Sequence, residues 1–245
     1  MKKFISNSEI SKKILNIAQM ASNMPVNIMI IGEIGVGRTL LAQHILSSAT
    51  IFDAKFLENL IVQNSINLDQ YNELIVLNIE LVLNKKEFLN KLNGIKLVTT
   101  SNIIVADIEE QFAIKIDIPS LEKRPEDLKE LIDIYVSDAK KIYDSQLDIK
   151  DIEIDISQNG LSLKKSIFKS VLLKSLTNED MEKTLEYFIE KKLDEEKDYK
   201  SLLKLFEIPL LKAAKTKFKS QLKMATKLNI NRITLRKKLE QYFGS

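Results

Sequence analysis

The sequence predicts an α/β chain: a largely parallel sheet wrapped by helices, followed by an all-helical C-terminal part. Three observations carry this. Apolar runs of strand length alternate with helix-period segments as far as Pro119. One of those runs passes through a glycine-rich turn directly into a helix. Beyond Pro119 the strand signal stops and helical periodicity remains.

Taken in order, residues 5–22 place Ile10, Ile14, Leu15, Ile17 and Met20 at helical spacing, with Asn7 or Ser8 as the N-cap. The apolar run 28–31 suits a buried strand, and 39–46 the first turns of a helix. A second strand is read near 55–60 and a third across 72–80. A helix over 81–92 is closed by Gly94. Strands follow at 95–100 and 113–118, and helices at 124–144, 163–176 and 180–193. The charged stretch 191–200 reads as a helix end running into a linker, and two further helical stretches follow from Leu202. The resulting domains are 1–120, 121–196 and 197–245.

Composition narrows the chemistry. There is no cysteine, which excludes disulfides, thiolate metal sites and a cysteine nucleophile. His44 is the single histidine, which leaves no histidine cluster for a metal and argues against a Ser-His-Asp triad. It is assigned to a helix surface without a role. No apolar run approaches a membrane span, and the start M-K-K-F-I-S-N-S-E-I becomes polar too soon for a secretory signal. A cytoplasmic location is therefore expected, with no membrane partner. The net charge of +3 hides an asymmetry: residues 211–245 carry +9 and the rest −6. Such a split points to a basic domain facing a polyanion.

Residues 26–41 read V-N-I-M-I-I-G-E-I-G-V-G-R-T-L-L. Strand, glycine loop and helix is the context of a phosphate-binding loop, whose N–H groups turn inward around an anion at a helix N-terminus. Gly32, Gly37 and Thr39 meet the G-x-x-x-x-G-K-[ST] spacing, and Gly35 lies between the two glycines. The lysine position is Arg38. A planar guanidinium fits that cradle less well than a compact ammonium.

Three segments in order now carry a resemblance. The opening F-I-S-N-S-E-I-S-K-K-I-L-N-I-A-Q-M-A precedes the loop at the right distance; I-P-S-L-E-K-R-P-E-D-L joins sheet to helices; K-M-A-T-K-L-N-I-N-R-I-T-L-R-K-K-L closes the chain. Together they resemble the sigma-54-dependent transcription activators, AAA+ regulators with a C-terminal Fis-type helix-turn-helix. The resemblance implies a P-loop AAA+-like parallel sheet (1–120), a helical lid (121–196) and an all-α Fis-type helix-turn-helix domain (197–245).

It also shows what is missing. The family's ATPase ends its third strand with two acids, for magnesium and for the attacking water. Here I-V-L-N-I-E puts Asn78 and Ile79 at those places. Glu80, read as lying about 6.6 Å past Asn78 on the same strand face, is not taken as a replacement. The chain has four arginines: Arg38, Arg124, Arg232 and Arg236. None lies between Asn102 and Pro119, where the family carries its arginine finger; Lys115 is the base there. Leu161 stands where the family has its lid arginine. Asn102 matches the sensor asparagine, and its alternative reading is a turn residue after a strand. Thr39 and Asn78 are only 39 positions apart, and nothing between them resembles the family's sigma-contacting G-A-F-T-G-A tip. No catalytic residue and no metal site are expected. ATP or ADP binding is left open.

The tail keeps its chemistry. A first helix over 220–228 has Ala225 at the crowded helix crossing, and Asn229 stands at the family's turn glycine. The recognition helix begins near Asn231, with Leu235, Leu239 and Tyr242 on its inner face. Ile233, Thr234, Arg236 and Lys237 are the candidates for base edges in the major groove. Lys219, Lys223, Lys227, Arg232 and Lys238 are those for phosphate. The preceding helix carries Leu203, Phe206, Leu210, Leu211, Ala214 and Phe218, and the resemblance implies a homodimer through it. The sequence therefore reads as a DNA-binding bacterial transcriptional regulator with a degenerate, non-hydrolysing AAA+ domain. Two alternatives stand beside it: an ATP-binding activator of sigma-54-type RNA polymerase, and a protein-interaction regulator of an intact AAA+ relative.

Overall fold

The computed structural model describes residues 3–144, 148, 152–193 and 198–244. The chain divides into two compact units, Met1–Ser175 and Leu176–Ser245.

The first unit is built on five parallel strands in the order β2-β3-β4-β1-β5. β1 (Ile28–Ile31) lies between β4 (Lys96–Ser101) and β5 (Ile114–Asp117); β3 (Glu73–Leu77) joins β4 to the edge strand β2 (Thr50–Asp53). Strand alternation sorts the side chains onto two faces. Ile28, Ile30, Ile75, Val98 and Ile116 pack with Ile14, Ala18 and Ala21 of α1 (Glu9–Ser22) and Leu41, Ala42 and Ile45 of α2 (Arg38–Ile45). Met29, Leu74, Val76 and Leu97 face the other way, onto Leu57 of α3 (Ala54–Val62) and Phe88 and Leu89 of α4 (Lys85–Lys91). Ser8 is the N-cap of α1, its Oγ accepting the Ser11 N–H at 3.2 Å.

Three expectations are corrected. Residues 55–60 are helix, not strand: β2 precedes them, and the Asp53 carboxylate caps α3 by accepting from the Lys55 and Phe56 N–H groups at 3.0 and 3.4 Å. The third strand does not reach residue 80. It stops at Leu77 because Asn78 takes a left-handed backbone (φ 61°, ψ 49°), and Ile79–Leu81 is a 3-10 turn. Glu80 is therefore not on a strand face shared with Asn78. The helix read over 81–92 is also shorter, with Asn84 as its N-cap.

α5 (Pro125–Tyr143) begins on a proline, which suits the first helical position. It packs against α6 (Asn159–Ser175) through Val136, Ala139, Leu163, Ile167 and Val171.

The second unit comprises α7 (Asn178–Leu193), α8 (Tyr199–Phe218), α9 (Gln221–Lys227) and α10 (Arg232–Phe243). Residues 194–197 of the linker reading lie outside the described residues. From Leu202 the tail runs through α8, α9 and α10, so the second of the two helical stretches is itself a pair of helices. Lys219 turns left-handed after α8 (φ 55°) and Asn229 does so between α9 and α10 (φ 50°). Leu211, Ala214, Met224, Ala225, Leu235 and Leu239 form its core. Among the described residues no helix is long and apolar enough to cross a membrane.

Candidate functional site

The glycine loop leaves β1 at its C-terminal end and enters α2 through Gly37, whose backbone is left-handed (φ 107°). Among the described residues the N–H groups of Gly35, Gly37, Arg38 and Thr39 have no protein acceptor. Unpaired donors at a helix start favour an anion.

The loop carbonyls, in contrast, are held from the helical side. The Asn159 amide nitrogen donates to Glu33 Oε2 at 3.1 Å and to the Ile34 carbonyl at 3.0 Å. Gly160 N–H donates to the Gly35 carbonyl at 3.0 Å, and Arg124 Nη2 to the Val36 carbonyl at 3.0 Å. Asn159 is 2% exposed with a left-handed backbone (φ 51°), and its Oδ1 accepts the Leu121 N–H at 2.7 Å. Gly35 must be glycine here: it has φ 82°, and a Cβ would lie 2.1 Å from the Gln158 carbonyl. The start of α6 is thus latched onto the loop. Asn159→Gly keeps the backbone freedom and deletes the amide, orphaning the Leu121 N–H. It should cost about 2–4 kcal/mol, read as a lower urea midpoint; an unchanged midpoint would contradict the latch.

Behind the loop lies a buried polar network. Arg124 is 1% exposed, with Nη1 donating to Ser11 Oγ at 3.3 Å and to Asp127 Oδ2 at 3.4 Å, and its guanidinium 5.8 Å from the Phe4 ring centre. Burial pushes its pKa down, and Asp127 pushes back. Asp127 Oδ1 accepts the Asn7 and Ser8 N–H groups at 2.7 and 2.8 Å; Oδ2 accepts from the Ser8 and Ser11 hydroxyls. Loop, α1 and α5 therefore share one ion pair. Sequence reading placed Arg124 at the junction but gave Asp127 no role. The signal was an acid in the first turn behind a proline.

Arg38 is half-buried, its pKa lowered by desolvation and raised in turn by the charge of Glu80. Thr39 is exposed at the start of α2. Asn78 is turned to the other side: its amide nitrogen donates to Asp53 Oδ2 at 3.0 Å, and its N–H to Thr100 Oγ1 at 3.1 Å. Ile79 is fully buried in the core. Asn102 is exposed after β4 and donates its N–H to Glu80 Oε1 at 3.3 Å. It lines a cleft with Glu33, Ile34, Gln158 and Asn159. Asn102 therefore joins the loop, whereas Asn78 is engaged by Asp53, a carboxylate that sequence reading passed over. Lys115 is paired with Glu109 at 2.8 Å.

In the second unit Asn231 caps α10, its Oδ1 accepting the Ile233 N–H at 2.8 Å. Arg232, Ile233, Thr234, Arg236 and Lys237 are exposed along that helix, as are Lys219, Lys223 and Lys227 before it. Arg236 is 72% exposed and donates to Glu240 at 2.8 Å. Lys238 is directed back onto α8, where it pairs with Glu207 at 2.5 Å, and the Tyr242 hydroxyl donates to the same carboxylate.

A family model described as the sigma-54 interaction domain matches residues 4–73, from the first helix to the start of β3. No curated protein sequence matches the chain. Among solved structures, NtrX from Brucella abortus in complex with ATP aligns with a TM-score of 0.56 at 14% identity, over 98% of this chain and 69% of that chain. The same protein in complex with ADP gives 0.55 at 13%, over 98% and 68%. At such identity the likeness speaks for the fold. The chain shares the fold of NtrX, and its residues 4–73 are similar to the sigma-54 interaction domain.

Proposed function

We propose that the chain is a DNA-binding transcriptional regulator whose AAA+ domain serves as a scaffold and does not hydrolyse ATP. The exposed basic surface around α9 and α10 carries this reading. Lys219, Lys223, Lys227, Arg232, Arg236 and Lys237 are exposed there beside Ile233 and Thr234, at the capped start of a helix packed on a preceding one. Supporting a homodimer through α8, Phe206 and Leu210 are exposed while Leu211 and Ala214 face the core. Genome-wide mapping of bound DNA tests the reading. Enrichment at discrete sites that vanishes without residues 199–245 is the expected result; the same profile with and without them contradicts it.

The lack of hydrolysis rests on the acid positions. A magnesium-bound triphosphate needs a charged ligand and a base at the strand end. Asn78 is neutral and bonded to Asp53, and Ile79 is buried in the core. Those residues do not fit the metal-bound nucleotide. Magnesium-dependent phosphate release should stay at background. Turnover that disappears in Gly37→Pro would overturn this.

A further inference from the structure

Arg38, Glu80 and Asn102 follow three neighbouring parallel strands, β1, β3 and β4, at their C-terminal ends. Among the described residues, two side-chain atoms there are buried without a hydrogen-bond partner: Arg38 Nη1 and Glu80 Oε2. An orphaned donor and an orphaned acceptor of opposite charge thus belong to residues at the same end of the sheet. Desolvation lowers the Arg38 pKa and the charge of Glu80 opposes it, while among the described residues the two form no ion pair. The Asn102 N–H fixes the other carboxylate oxygen at 3.3 Å. The loop N–H groups invite an anion, and a carboxylate held by Asn102 follows β3 at the same end of the sheet as the loop's own cation.

We infer that Glu80 is the built-in counter-anion of Arg38 and sets the loop against polyphosphate. The inference rests on the non-hydrolysing reading above and adds the residue that weakens nucleotide binding. Two negative groups near one half-buried guanidinium repel each other in a medium of low effective dielectric constant, with little screening by salt. A triphosphate entering the loop must therefore displace or neutralise Glu80. Removing that charge should free Arg38 for the phosphate.

Calorimetric titration with ATP, in magnesium and again in chelator, tests this on the full chain. Glu80→Gln keeps an oxygen for the Asn102 N–H and removes the charge. It should bind ATP at least about tenfold tighter than the natural chain, and adding Arg38→Met should abolish the gain. Glu80→Ala provides the same comparison if the glutamine variant is poorly folded. Equal affinities in the natural chain and both Glu80 variants, or a gain that survives Arg38→Met, would overturn the inference. The readout is affinity and not turnover. Hydrolysis by the natural chain would refute the scaffold reading while leaving this comparison intact.

Discussion

Asp127→Ala is expected to bring the first unit to the edge of unfolding. The carboxylate is fully buried and is the shared acceptor for the Asn7 and Ser8 N–H groups, two hydroxyls and Arg124. Alanine leaves the Arg124 charge buried beside nothing negative and orphans two backbone donors. Breaking a buried ion pair from one side costs about 3–5 kcal/mol, against a whole-domain stability of about 5–15 kcal/mol. Asp127→Asn keeps an oxygen for the N–H groups and should cost less. Denaturation of the full chain, followed by probes in each unit, checks this. The transition of Met1–Ser175 should shift and that of Leu176–Ser245 should hold. Equal midpoints for Asp127→Ala and the natural chain would mean that the network contributes nothing net.

Duplex DNA binding is expected to weaken steeply with salt. Neutralising six to ten phosphates releases condensed counterions, and affinity then falls by about 10³–10⁵ between roughly 50 and 200 mM salt. Lys223→Ala should weaken all sequences alike and make the salt slope shallower by about one. Arg236→Ala should instead cost about 1–3 kcal/mol at the preferred site and relax one base position. Its contact with Glu240 does not stand in the way, because an exposed pair of this kind holds the side chain only weakly. Lys238, tied to Glu207, should matter less for phosphate than its exposed neighbours.

The sequence disclosed those parts of the fold whose signals are local. The run Ile28–Ile31 and its glycine loop were readable because a buried parallel strand is apolar at every position and the turn needs glycine. The inner face of α10 was readable from the spacing of Leu235, Leu239 and Tyr242. Residues 55–60 were not, because a short apolar run fits either period; the arbiter was the cap at Asp53. The strand end at Leu77 was hidden inside I-V-L-N-I-E, where hydropathy continues but Asn78 changes the backbone hand. The latch and the buried ion pair were invisible for another reason. Asn159 meets Glu33 across 126 positions, and Asp127 meets Asn7 across 120. Only the folded chain brings such partners together. Asn159 did carry a hint, the Asn-Gly pair of a left-handed turn.

DNA reading by the exposed surface of α9 and α10 is tested by titration. The full chain is titrated onto a duplex from a mapped site and onto a scrambled duplex, at several salt concentrations. The natural chain is compared with a variant carrying Ile233→Ala, Arg236→Ala and Lys237→Ala together, three exposed residues whose replacement leaves the core of the unit untouched. The natural chain is expected to prefer the mapped duplex, and the variant to bind both duplexes equally while keeping most of its salt dependence through Lys219, Lys223, Lys227 and Arg232. A variant that retained the full preference, or a natural chain that bound neither duplex at low salt, would contradict it.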